Sequence, residues 1–232
     1  DIHIVMRESL EKSLGEDINI ESVINRTDVD PRTVTSDIII STIPLSARLP
    51  NAIEVKPFLT QQNLADLRNL VLEIRQSRAR LHIKGLLLDC FREELFFRNI
   101  PYRNPEKMIR TLGEGLTRLE IVSEEYIESA IERERMSSTV FVDGLAVPHA
   151  MTMTAEKTTI AIAINEEPCD WASNQVNVVA FIAFSAKGRE EFQPVFEQFV
   201  DVFSDPVRMQ EIIREAVDFD SFITSLSKAI AR

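Results

Sequence analysis

The spacing of apolar residues changes several times along this chain, and each change marks an element. "IHIV" (2–5) is a β-branched run that reads as a strand. "RESLEKSL" (7–14) has helical spacing and stops at Gly15. "INIESV" (18–23), "DIIIST" (37–42) and "IEV" (53–55) read as strands, the second continuous enough to be covered on both faces. Thr60 stands where a cap would, ahead of Leu64, Leu67, Leu70, Val71 and Ile74 at helical spacing. Strand and helix alternate, which predicts an α/β fold: a small, parallel, doubly wound sheet with helices on both sides.

"RQSRARLHIKG" (75–85) is basic and loses the apolar period, so a domain boundary is placed inside or just after this helix. The expected organisation is a first domain over residues 1–78, a linker over 79–85 and a second domain over 86–232. In the second part "LLLDCFREEL" (86–95) has helical character. Asn104-Pro105-Glu106 is a helix start, a capping side chain followed by proline at the first helical position. Met108, Ile109, Leu112, Leu116 and Leu119 line one side of that helix, and Ser123 is placed to cap the next, "EEYIESAIERERM". Strands then run to Val142, over "TTIAIAI" (158–164) and over "VNVVAFIAFS" (176–185). Three amphipathic helices close the chain, the first rich in phenylalanine, so the second domain is expected to be a mixed sheet flanked by helices.

Composition narrows the function. With 37 acidic against 26 basic side chains the net charge is −11, which repels phosphate backbones and argues against direct nucleic-acid binding. No window approaches the apolar length of a membrane span, and no signal segment opens the chain. Two cysteines, Cys90 and Cys169, in unlike contexts suggest a reduced, cytoplasmic protein. Three scattered histidines give no clustered metal ligands, and no glycine-rich nucleotide loop occurs, so neither a metal nor a cofactor is expected. An Asp at position 1 suggests a fragment or a processed piece.

One histidine has a constrained setting. In "VDGLAVPHAM" (142–151) Asp143-Gly144 is a strong hairpin dipeptide, Leu145 to Val147 a short strand, and Pro148 fixes the backbone ahead of His149. A side chain at such a strand end is held accurately. Imidazole, with an unperturbed pKa of about 6.5, is a fair nucleophile near neutrality and can take up and surrender a phosphoryl group. Such a transfer needs positioning and donors for the phosphoryl oxygens. Arg133, sixteen residues earlier, and Ser138 and Thr139 are candidates. The plainer alternative is that His149 is a packed or surface histidine and Arg133 a solvated helix residue.

"RERMSSTVFVDGLAVPHA" (133–150) resembles the signature of the mannitol/fructose-type enzyme IIA domain of the bacterial sugar phosphotransferase system, matching at Arg133, Glu134, Ser138, Thr139, Gly144, Ala146, Pro148 and His149. "EEPCDWASNQVNVVAFIAFSAKG" is similar to that family's Pro-x-x-Trp segment and long apolar strand. The resemblance covers roughly residues 86–232 and implies that His149 carries phosphate on a ring nitrogen, assisted by Arg133, with Ser138 or Thr139 donating a hydrogen bond. Phe192 stands where transport-type members carry a second histidine, which counts against efficient onward transfer to sugar.

"DIIISTIPL" and "LPNAIEVKPFLTQQNLADL" resemble a galactitol-type enzyme IIB domain. That family places a phosphorylatable cysteine loop after its first strand, and "IHIV" runs straight into "MRESL" without one, so the loop is either deleted or absent from the sequence given. The IIB-like then IIA-like order resembles the C-terminal half of sugar-operon regulators with PTS-regulation domains. This implies upstream regulation and DNA- or RNA-binding domains in the same polypeptide. It also implies phosphorylation by the phosphocarrier HPr or a sugar-specific IIB protein, and a switch rather than an enzyme that turns over. A fused IIBA transport component and a structural dimerisation module are the alternatives, and a homodimer stays open.

Overall fold

The structure is a computed structural model that describes residues 2–25, 28–102 and 104–230. It contains two compact units, Asp1–Leu81 and His82–Arg232.

In the first unit Ile2–Leu14 forms one helix, α1. The strand expected at "IHIV" is therefore incorrect. Met6, Leu10 and Leu14 recur every fourth residue and join Leu67 in a small core, while Ile4 and Val5 stay exposed. Helical periodicity of the buried side chains outweighs the local β-branched preference. Because Val5 lies inside a helix, it is not the end of an IIB-like first strand, and the cysteine loop cannot be sought after it. Gly15 follows with φ +52°, a left-handed exit that suits glycine. Residues 18–23 also form no strand, although Ile18 and Ile20 pack onto the small core.

Strands β1 (Ile39–Ser41) and β2 (Ala52–Glu54) are where the pattern expects them and pair in parallel, Ile40 opposite Ile53. Thr60 caps the next helix: its hydroxyl accepts from the Asn63 amide at 3.1 Å, and Asn63 Oδ1 accepts from the Thr60 amide at 3.1 Å. That helix, α2, runs over Gln61–Leu88, so the linker expected at residues 79–85 is part of a helix. Its middle is built of Arg, Leu and Gln, good helix formers even without an apolar stripe. Residues 86–95 are not one helix. α2 ends at Leu88, the chain turns through Cys90, and only a short 3-10 turn follows at Glu93–Leu95.

The second unit is built on a five-stranded mixed sheet. Its strands are β3 (Phe96–Arg98), β4 (Val140–Val142), β5 (Gly144–Ala146), β6 (Thr154–Trp171) and β7 (Asn174–Ser185), in the order β3-β6-β7-β5-β4. β3 runs parallel to β6 and β5 parallel to β7, whereas β6/β7 and β4/β5 are antiparallel. Helices α3 (Pro105–Arg118) and α4 (Glu124–Met136) cover one face; α5 (Arg189–Ser204), α6 (Pro206–Glu215) and α7 (Phe219–Ile230) cover the other. As predicted, Asn104 caps α3, accepting from the Lys107 amide at 2.8 Å. Ser123 occupies the cap position of α4 but makes no side-chain cap bond there.

The period-two alternation of "IAIAI" sorts the two faces. Ile160, Ile162 and Ile164 point to α5–α7, together with Val178 and Ile182 of β7, while Ala161, Ala163 and Ala183 point to α3 and α4. Alanine on one face lets α3 come close. A Cβ added at Gly113 would lie 2.7 Å from Ile127 Cγ1 and 3.1 Å from Phe181 Cε1. Phe181, Phe199, Phe203, Phe222 and Trp171 are all fully buried, each worth roughly 1.5–3 kcal/mol of burial. The sheet is thereby fixed on both sides, and the β4–β5 turn and the residues after β5 are held at its edge.

Candidate functional site

The Asp143-Gly144 turn forms as expected. Val142 opposes Leu145, and Gly144 has φ +86°. A side chain at Gly144 would also meet Met209 Sδ at 2.8 Å, so glycine is required twice over. Beyond β5 the chain stays extended. The Val147 amide donates to the Thr139 carbonyl at 2.9 Å on one side; on the other, the Ile182 amide donates to the Pro148 carbonyl at 3.0 Å and His149 bridges Ile182. His149 thus sits at the end of a strand that is paired on both flanks.

Its half-buried ring is held at two places. Nδ1 lies 2.9 Å from the Val147 carbonyl oxygen, and the ring meets Phe184 edge-to-face with centroids 5.8 Å apart. A carbonyl can only accept, so a neutral His149 carries its proton on Nδ1 and keeps the lone pair on Nε2. Helix α4 fixes the surroundings. The Tyr126 hydroxyl donates to the Ile182 carbonyl at 3.2 Å and accepts from the Phe184 amide at 2.9 Å, while Ser129 Oγ accepts from the Met151 amide at 3.2 Å.

The other expected residues lie where α4 meets β4. Arg133, half-buried in the last turn of α4, donates to the Ser137 carbonyl at 2.9 Å. From the Thr139–Val147 backbone bond, Ser137 stands two residues before Thr139 and His149 two residues after Val147. Ser138 is exposed, its Oγ accepting from the Val140 amide at 3.4 Å. Thr139 is buried, and its hydroxyl donates to Glu134, which also accepts from the Thr139 amide at 3.1 Å. The Thr139 hydroxyl is therefore turned inward in this state. Among the described residues no hydrogen bond joins Arg133, Ser138 or Thr139 to the His149 ring.

Residues to which the sequence reading gave no role complete the site. Glu134 also accepts from Trp171 Nε1 at 2.7 Å, so the Arg-Glu segment and the Pro-x-x-Trp segment meet through these two side chains. The signal for Glu134 was its place: a carboxylate in the last turn of a helix opposes the macrodipole and calls for compensating donors. Tyr126 and Phe184 left a fainter trace, a polar-tipped ring on an apolar helix face and an aromatic closing a strand. Phe192 does not touch the His149 ring; it packs on Phe184 at 5.5 Å and on Phe196 at 6.2 Å. These three rings line a cleft of about 410 Å³ with Met153, Arg189 and Gln193.

Cys90 and Cys169 are both buried and free. Burial pushes the Cys90 thiol up to about 12 and raises that of Cys169, so neither is set up as a nucleophile. Among the described residues no cluster of side chains is suited to hold a metal, and no helix is long and apolar enough to cross a membrane.

Comparison with known proteins shows what the chain and its fold are similar to. Over 212 residues, 90% of its length, the chain is 26% identical to the probable licABCH operon regulator of Bacillus subtilis. Over 179 residues, 77% of its length, it is 26% identical to the transcriptional regulator ManR of the same organism. The matched part is about a third of each regulator, 32% and 28%. In fold, the nitrogen regulatory protein IIA-Ntr of Neisseria meningitidis is similar, with a TM-score of 0.54, 16% identity, and coverage of 61% of this chain and 99% of that one. Residues 89–229 match the family model "Phosphoenolpyruvate-dependent sugar phosphotransferase system, EIIA 2". That span runs from the turn after α2 to the end of α7 and includes His149, and the chain belongs to this family.

Proposed function

We propose that His149 accepts a phosphoryl group on Nε2 and that the chain is the phosphorylation-controlled part of a sugar-responsive transcriptional regulator. The observation that carries this reading is the bond from Nδ1 to the Val147 carbonyl, which leaves Nε2 as the nucleophilic nitrogen. In the transfer, the bond from phosphorus to the donor atom (a ring nitrogen of HPr or a cysteine sulfur of a IIB protein) breaks and a bond to Nε2 forms. The proton on Nδ1 stays in place, and the Val147 carbonyl stabilises the positive charge that the ring gains. The bond from Arg133 to Ser137 uses one of five guanidinium N–H groups, and others serve the phosphoryl oxygens. The exposed Ser138 hydroxyl fits that surface, whereas Thr139, tied to Glu134, belongs to the scaffold.

Donors are HPr or a sugar-specific IIB protein, and the added charge of about −1.5 to −2 alters a domain interface. The matches with two regulators over most of this chain support a regulator over a transport component. The first unit, with its parallel β1–β2 pair between α1 and α2, is read as IIB-like. Regulation and DNA- or RNA-binding domains upstream, and a homodimer, belong to the same proposal.

The test is incubation of the chain with phosphoenolpyruvate, enzyme I and HPr, followed by assay for acid-labile, base-stable phosphate. Wild type takes up label and His149→Ala does not. Equal labelling of both would refute the assignment. Where HPr alone gives no label, a sugar-specific IIB protein is added before the reading is abandoned. Onward transfer to sugar in the presence of membranes would instead favour a transport component.

A further inference from the structure

We infer that Glu134 is a positioning residue for His149, an inference that rests on the phosphoryl-acceptor reading. Its carboxylate gathers donors from two elements. Thr139 contributes its amide, 3.2 and 3.1 Å from the two oxygens, and its hydroxyl; Trp171 contributes Nε1 at 2.7 Å. Trp171 is wholly buried in β6, so it is a fixed anchor. Glu134 therefore fixes Thr139 against the far end of the β6–β7 hairpin. The Thr139 carbonyl accepts the Val147 amide at 2.9 Å, and the Val147 carbonyl accepts from His149 Nδ1 at 2.9 Å. Each link sets the place of the next residue, from an anchored carboxylate to the ring that reacts.

Two features separate this from ordinary packing. Glu134 stands in the last turn of α4, where the helix dipole disfavours a carboxylate, and three donor groups on two residues offset that cost. The chain of bonds ends on the nitrogen that must hold the proton for Nε2 to be the nucleophile. Loss of the carboxylate frees Thr139 and, through it, the Val147 carbonyl. The ring then samples both tautomers, and the fraction with a bare Nε2 falls.

The experiment uses the full chain labelled with ¹⁵N. Long-range correlation of the imidazole nitrogens reports the tautomer of His149, and label uptake from HPr or IIB reports the rate. Wild type shows protonated Nδ1 and bare Nε2. Glu134→Ala shows a tautomer mixture and labels about tenfold more slowly, the scale of one lost charge-assisted bond. Glu134→Gln, which keeps one acceptor oxygen, lies between, and so does Trp171→Phe, which removes the anchoring Nε1 donor and leaves the bonds to Thr139 in place. Should Glu134→Ala not fold, Glu134→Gln carries the test. A folded Glu134 variant with the wild-type tautomer and rate overturns the inference. If wild type takes no label from either donor, the acceptor reading falls, and the tautomer comparison still decides the role of Glu134.

Discussion

The rings of His149 and Phe184 meet edge-to-face, 5.8 Å apart and at 82°. Phe184 lies two residues beyond Ile182, the backbone partner of His149, and its amide is bound by the Tyr126 hydroxyl. It therefore gives the imidazole a second restraint besides the bond from Nδ1 to the Val147 carbonyl. Phe184→Leu keeps an apolar side chain and removes the ring contact. An aromatic pair is worth roughly 0.5–1.5 kcal/mol, so labelling of His149 should slow by about two- to tenfold. Rapid-quench labelling measures this; an unchanged rate would show that the ring needs no lateral support.

The approach of α3 to α4 at Gly113 makes a second prediction. Gly113→Ala gains about 1 kcal/mol of helix propensity but puts a methyl within 3 Å of Ile127. Overpacking costs about 1–3 kcal/mol, so the variant should be less stable by about 1 kcal/mol in urea unfolding. Combined with Ile127→Val it should lose less than the sum of the two single variants. Strict additivity would mean that the two residues do not compete for space.

Acid should loosen the helical layer of α6 and α7. The Asp205 carboxyl lies below its ordinary value because it accepts the Arg208 and Val207 amides. That of Asp218 is lowered by the Ser221 hydroxyl and amide. Each folded pKa is depressed, so the stabilisation is complete above the ordinary aspartate value near 3.8 and is lost as pH falls through the folded value. Asp205→Ala should lower the thermal midpoint at neutral pH and flatten its acid decline. A parallel decline in wild type and variant, seen by calorimetry as pH falls from about 5 to well below the ordinary aspartate value near 3.8, would contradict this.

Cys90 gives the opposite sign at alkaline pH. Burial raises its thiol to about 12, so its folded pKa lies above the unfolded one. The stability it contributes is full below the unfolded value near 9.0 and falls away as pH rises towards 12. At pH 8 (roughly the middle of the thiol-labelling range) iodoacetamide should leave Cys90 unmodified in the folded chain and alkylate it in urea. Modification of the native protein at the rate of a free thiol, read by mass spectrometry, would count against this.

How far the sequence could be read depended on how far apart the deciding contacts were. "IAIAI" and "PEKMIRTLGEGL" declare their own faces, because both periods are complete within one element. The Pro148-His149 strand end was equally local. "IHIV" misled because its fate depends on Leu10, Leu14 and Leu67, the last 53 residues beyond Leu14. β3 was unreadable as a strand because three residues become one only when β6 lies beside them. The Thr139 hydroxyl was offered to phosphate on its proximity in sequence, whereas Glu134, five residues back along α4, already takes it.

The sheet beside His149 is closed by a phenol. Past the His149–Ile182 bridge, β7 finds no further strand on that side, and Tyr126 fills the gap, taking the Phe184 amide and giving to the Ile182 carbonyl. The same helix carries Arg133 and Glu134 about two turns later. Any displacement of the backbone at His149 therefore reaches α4 without crossing solvent or a loop. Under the proposed acceptor role, a phosphoryl group on that one ring would be felt by a whole helix.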